Sequence, residues 1–178
     1  VIVNDDINNR AVKVPASIAA LAALGFNDKV SYPWFAPAGF NRGSLGFVTN
    51  VDVRLTRSDR DDLYDQAINP IATFPNTGFV IFGQKTLQAT KSALDRINVR
   101  RLLLEVKRQV VNVAQQLIFE QNTPQTRARF ISDVTPLMAA IQAQAGIEQF
   151  KIVMDDSNND QDDVENNRLN GTIVLIPT

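Results

Sequence analysis

The sequence predicts an α+β fold: a small, mainly antiparallel sheet covered by two long helices, with an N-terminal helix and a turn-rich segment ahead of them. Three observations predict it. Val99, Leu102, Leu103, Val106, Val110, Val113, Leu117 and Ile118 recur at steps of three and four, the stripe of an amphipathic helix. Thr123-Pro124 then opens a second helix carrying Phe130, Ile131, Val134, Leu137, Met138 and Ile141. Short β-rich runs bounded by turn residues supply the strands, at 71–74, 79–82, 150–154 and 172–176.

Taken in order, Val1-Ile2-Val3 reads as a strand. Pro15-Ala16-Ser17 opens a helix, because proline is tolerated in a first turn, and Ile18, Leu21, Ala22 and Leu24 follow at helical spacing. Gly25 marks its expected end. Tyr32 to Gly46 holds Pro33, Pro37, Gly39, Gly43 and Gly46, which disfavour both helix and central strand. Its aromatics Tyr32, Trp34, Phe35 and Phe40 are expected to pin it to a core. Val51 to Leu55 alternates with period two and predicts a half-buried strand. Ser58 is the expected cap of a short helix through Leu63 and Ala67, with Asp59, Asp61 and Asp62 in its positive first turn. Asn69-Pro70 ends that helix. Pro75-Asn76-Thr77-Gly78 turns the next two strands into a hairpin. Asn98 is the expected cap of the first long helix. Three valines, Val110, Val111 and Val113, lower its propensity, so burial must hold it. Pro136 is expected to kink or break the second long helix, and Gly146 to stop it. The last two strands flank a polar loop, Asp155 to Asn167.

Composition narrows the function more than it names one. The chain has 178 residues, 44% hydrophobic and 21% charged, enough for one sizeable domain or one domain and part of another. A net charge of -1 argues against general nucleic-acid binding. No cysteine is present, which removes disulfides, thiolate metal sites and cysteine nucleophiles. No histidine is present either, which removes histidine triads, most zinc sites and the usual general base near neutral pH. No apolar run approaches the roughly 18 residues of a membrane helix, so no membrane partner is expected. A start at Val1 and a stop at Thr178, just past an apolar strand, read as a fragment of something longer.

The remaining candidate chemistry is weak. Asp155 to Asp163 is oxygen-rich, as a calcium loop would be. Asp160 stands where an EF-hand needs glycine, and Asn166 where it needs a bidentate glutamate, so a solvated acidic connection is the better reading. Gly39 to Gly46 lacks the Gly-Lys-Ser/Thr ending of a phosphate loop and reads as a structural turn. Asp59, Asp61, Asp62 and Asp65 form no convincing catalytic pair, since a helix start accounts for the first three. No catalytic, cofactor-binding or metal-ligating residue is assigned. Arg100, Arg101, Lys107 and Arg108 form a basic strip on the first long helix. Residues 95–129 carry seven basic and three acidic side chains; residues 148–168 carry two basic and seven acidic. The strip is either a solvated face or a partner-docking face.

Five motifs in order carry a resemblance. Phe74-Pro75 through Thr86-Leu87, Asn98-Val99-Arg100-Arg101-Leu102, Phe119-Glu120-Gln121-Asn122, Phe150-Lys151-Ile152-Val153-Met154-Asp155, and Gly171 to Pro177 resemble the C-terminal half of contractile bacteriophage tail sheath proteins. Val14-Pro15-Ala16-Ser17 and Ala36-Pro37-Ala38-Gly39 resemble the segment just before that domain. The resemblance implies that residues 1–50 end a preceding sheath domain and residues 51–178 form the C-terminal one without its terminal strand. It implies a structural part in the virion, assembled in the host bacterial cytoplasm. Sheath subunits surround a tail tube and contract to drive it through the host envelope, with no cofactor. The implied partners are neighbouring sheath subunits and the tube protein, with the baseplate and tail terminator reached indirectly. Arg100, Arg101, Lys107 and Arg108 are the candidate tube or neighbour contacts; Arg100 or Arg101 can equally serve buried carboxylates or carbonyls. The fragment, lacking the exchanged arms of the family, is expected to be a monomer. The competing reading is a non-polymerising protein-binding module that uses the basic helix face.

Overall fold

The computed structural model describes Val1–Thr178, which packs as two units, Val1–Arg101 and Leu102–Thr178. The α+β class holds, but the strands fall into three small antiparallel sheets of three, two and two strands. In the first unit, β1 (Ile2–Asp5) lies between β2 (Arg10–Lys13) and β3 (Val48–Asn50). Val3 stands opposite Val12 on one side and Val48 on the other. The Asp5 carboxylate closes the β1–β2 turn by accepting from the Asn8 backbone N–H and Nδ2, at 3.3 and 2.7 Å.

Helix α1 (Ala16–Val30) runs straight through Gly25. A side chain there would meet nothing within 4 Å, so the glycine marks no constraint. Ala19, Ala23 and Asn27 are buried at steps of four and carry the helix onward. After the short α2 (Gly39–Arg42), the chain must pass close to itself. A Cβ on Gly43 would lie 2.7 Å from the Ala38 Cα, so only glycine fits. This tight turn is tied to the hairpin of β4 (Ile71–Phe74) and β5 (Gly78–Ile81): the Leu45 N–H donates to the Phe79 carbonyl and the Ile81 N–H to that of Gly43, both at 2.8 Å. Ala19, Ala23, Leu45, Val48 and Ile81 form the core here.

Two further expectations fail in this unit. Residues 51–55 form no strand; β3 ends at Asn50, whose Oδ1 accepts from the Val51 N–H at 3.0 Å, and Val53 is exposed. Alternation without a partner strand is not enough to make a strand. The cap of α3 (Arg57–Asp65) is Thr56, not Ser58. Thr56 Oγ1 accepts from the Asp59 N–H at 3.3 Å, and Asp59 Oδ2 accepts from the Thr56 N–H at 2.8 Å. This reciprocal box outcompetes a lone serine hydroxyl.

A helix, α4 (Ile97–Gln115), carries the chain from the first unit into the second. It begins a residue before Asn98, with the Arg100 N–H donating to the Arg96 carbonyl. Asn98 therefore does not cap it, and its Oδ1 is buried without a partner. The second unit continues with α5 (Pro124–Ala143), β6 (Ile147–Val153), α6 (Gln161–Glu165) and β7 (Thr172–Pro177). Thr123 caps α5 as its sequence predicts, accepting from the Thr126 N–H at 3.2 Å. Pro136 lies inside α5 without breaking it. Phe130, Val134, Met138 and Ile141 bury one face of α5, each contributing roughly 1.5–3 kcal/mol. β6 and β7 pair with Phe150 opposite Leu175. The polar loop between them holds α6, opened by a second reciprocal box between Asp160 and Asp163.

Helices α3, α5 and α6 all end the same way. Backbone N–H groups at Ile68, Gly146 and Arg168 reach the carbonyls of Leu63, Ile141 and Asp163. The residue before each donor takes a positive φ: Ala67 (58°), Ala145 (56°) and Asn167 (55°). These are glycine positions of the Schellman motif filled by other residues. The signal at Gly146 was thus one residue out of place. Ala145→Gly and Ala67→Gly should each raise the stability of the chain by about 1 kcal/mol, since left-handed backbone costs alanine about 1–2 kcal/mol. Urea unfolding checks this; an unchanged or lower midpoint contradicts the strain.

Candidate functional site

The basic strip on α4 is divided by its surroundings. Arg100 Nε donates to the Leu94 carbonyl at 2.9 Å and its Nη2 to Gln88 Oε1 at 2.6 Å. Arg101 is mostly covered, and its Nη2 lies 2.5 Å from both oxygens of Asp28 on α1. Arg108 makes two bonds to Glu105, at 3.0 and 2.6 Å, and Gln109 adds a third. The bond from Arg108 chiefly holds the Glu105 carboxyl below its ordinary range. Lys107 is exposed and makes no bond. Arg101 therefore fastens the first turns of α4 to α1, while Lys107 and Arg108 are exposed.

The stretch from Phe74 to Leu87 is built as a brace. Asn69 holds Lys85 from both sides: its Oδ1 accepts the Lys85 N–H at 2.8 Å and its Nδ2 donates to the Lys85 carbonyl at 2.9 Å. Gly83 allows this, because a Cβ there would lie 2.8 Å from Asn69 Oδ1. The Lys85 ammonium donates to the Tyr64 carbonyl at 2.6 Å and sits 3.4 Å from the Tyr64 ring centre. The Tyr64 hydroxyl takes a bond from Arg96 at 2.8 Å, which raises the Arg96 pKa. Gln84 and Thr86 then receive or donate backbone bonds at Ile97 and Asp95, where α4 begins. Phe40, Phe74 and Phe82 cluster beside it, with Arg60 over the last two rings.

The oxygen-rich loop after β6 is also occupied by its own chain. Asp155 Oδ1 accepts from Ser157 Oγ and the Ser157 N–H, and these bonds lower its pKa. Asp160 and Asp163 cap α6. Asp156 meets Arg127 Nη1 at 2.6 Å. The arginine there is buried and its Nε is unpartnered, while the carboxylate is almost wholly solvated. At the centre is Asn159, 3% exposed. Its Nδ2 donates to the carbonyls of Asp155 and Asn170 and to Asn158 Oδ1; its Oδ1 accepts from the Asn170 N–H and from Asn122 Nδ2. Asn122 Nδ2 also reaches the Arg168 carbonyl at 2.6 Å. The Phe119 to Asn122 motif thus locks the turn after α4 to the acidic crossover. An asparagine inside an acidic run gives no sequence signal of burial, and Asn69 reads from sequence only as part of a helix end.

No protein-family model matches the chain. Curated relatives do. The tail sheath protein of Vibrio phage KVP40 is 40% identical over 169 residues, 95% of this chain and 25% of that protein. The tail sheath protein of Enterobacteria phage T4 is 34% identical over the same shares, and that of Salmonella phage ViI is 29% identical over 98% of this chain and 28% of its own length. The chain spans about a quarter of the curated relatives it matches. Its fold recurs in the sheath complex of the extracellular contractile injection system PVC in its contracted state, with a TM-score of 0.88 and 20% identity over 99% of this chain and 50% of that one. The contracted helical sheath of the anti-feeding prophage gives 0.86 and 23%, over 100% of this chain and 50% of that one.

Asn159→Ala should cost about 3 kcal/mol, because several buried backbone groups lose their partners together. Amide exchange at Asn170 should rise in the folded chain. Unaltered exchange there would mean that the amide is not what holds the crossover.

Proposed function

We propose that this chain, a homologue of one quarter-length segment of phage tail sheath proteins, is a structural part of a contractile sheath. In this reading it forms part of a wall around the tail tube, and its braced parts move as solid pieces when the sheath shortens and drives the tube through the host envelope. The observation that carries it is the 40% identity to a tail sheath protein across 95% of the chain. The contracted sheath folds agree over essentially the whole chain. A protein-binding module that never polymerises is not favoured beside these relatives.

The physics suits the role. Contraction of this kind is a switch between two packings of rigid bodies, with energy held in the interfaces. It needs stiff subunits and well-placed surfaces rather than titrating or metal chemistry. The proposed partners are neighbouring sheath subunits and the tail tube, with the baseplate and tail terminator at the ends. The proposed place is the virion tail, after assembly in the bacterial cytoplasm. Arg100, Arg101, Lys107 and Arg108 remain the candidate contacts, with Lys107 and Arg108 the most available. The assignment of residues 1–50 to the end of one sheath domain and 51–178 to the next is part of this proposal. It describes family correspondence, whereas the packing boundary falls at Arg101. β7 pairs only with β6, so a strand from a neighbour can add to its open edge.

Electron microscopy of the full-length protein should show long hollow tubes, while this chain alone should sediment as a monomer. Unordered particles from the full-length protein would contradict the reading.

A further inference from the structure

We propose that the outward stripe of α4 docks a second copy of this chain, which presents the outer face of its β6–β7 ribbon and its acidic α6 crossover. This rests on the sheath reading, because it needs many copies held side by side.

A helix turns about 100° per residue, so Arg100, Leu104, Lys107 and Val111 share an arc of about 60° on α4. Leu104 and Val111, seven positions apart as in a helix contact seam, are 68% and 41% exposed, whereas Leu102 and Val106 on the other side are buried. α4 therefore keeps an apolar pair open on the side that it does not bury. Phe119, wholly exposed in the turn after the helix and held at a φ of 73°, adds a bare aromatic. Single exposed apolar residues are ordinary; an open apolar pair around an unpartnered lysine marks a contact surface.

Charge complementarity selects the occupant. Lys107, at the centre of the stripe, has no partner, and no carboxylate meets Arg100. Asp160, Asp162, Asp163 and Glu165, on and beside α6, meet no basic side chain. The two regions lie at different places on one chain, so their attraction joins copies head to tail. The acidic crossover also adjoins an apolar face. Val174 and Ile176 on β7 are about half-exposed, while Ile173 and Leu175 turn inward. From Leu104 to its end at Gln115, α4 offers about 17 Å of helix, which lies within the roughly 20 Å of strand in the six residues of β7. Each copy can offer both faces at once, which extends a row rather than closing a pair.

A photoreactive benzoylphenylalanine is placed at Lys107 of the full-length protein. The probe-bearing full-length protein is co-assembled with isotopically heavy, unsubstituted full-length protein, with tail tube subunit also present, and cross-linked peptides are read by mass spectrometry. Heavy peptides containing residues 161–165 or 172–177 are expected. Asp162→Lys together with Glu165→Lys in the heavy chain should lower their yield about fivefold. Links to the tube subunit, to another part of the heavy chain, or to no heavy chain at all overturn the proposal. The sheath reading stands or falls separately, on whether the full-length protein forms tubes.

Discussion

Buried and half-buried asparagine side chains stand in for sheet that this fold does not have. Sheets of two and three strands leave many peptide groups without a ladder partner, and a buried unpaired group costs about 1–3 kcal/mol. Asn27 closes the end of α1 by donating to the Tyr32 carbonyl. Asn69 pairs with both backbone groups of Lys85, as a neighbouring strand would. Asn159 satisfies three chain segments at once and, with Asn122, fixes the acidic crossover. An amide suits this task because it both donates and accepts without carrying charge.

From that constraint follows the division of labour in the chain. Polar side chains inside each unit are spent on bracing. The carboxylates that looked available are held by Ser157, Thr56 and helix ends, and three of the four basic residues on α4 are held by carbonyl, amide or carboxylate groups. What stays open is surface: the outward side of α4, the outer face and edge of β7, and the exposed side of α1 with Leu21, Phe26 and Val30. Pieces that are stiff within and adhesive without suit the mechanical lattice proposed above, in keeping with the identity to tail sheath proteins.

Elements with long-range consequences were the most legible in the sequence. Burial follows the periodicity of α4 and α5, and Thr123-Pro124 marks their junction because cap and proline chemistry act locally. Hairpins with paired apolar runs were legible for the same reason. Errors arose where a local signal had a rival or lacked a partner. Thr56 displaced Ser58 through its reach to Asp59, the Val51 to Leu55 alternation found no strand to join, and Gly25 ended nothing because α1 is held by Ala19, Ala23 and Asn27. β2 escaped notice since Arg10 to Lys13 shows no alternation. The basic strip was visible as composition, but its division depended on Asp28, seventy-three positions away from Arg101. Asn159 was invisible, since burial of one amide in an acidic run depends on where Asn122 and Asn170 come to rest.

The central claim is that the braced parts move as solid pieces and only their surfaces change partners. Hydrogen exchange on the assembled full-length protein, before and after the contraction proposed for it, tests it most directly. The amides of Lys85 and Asn170, both held by asparagine side chains, should keep the same protection in both states, while amides along the open edge of β7 change theirs. Loss of protection at Lys85 or Asn170 on contraction would show that the pieces deform internally, and would contradict the account.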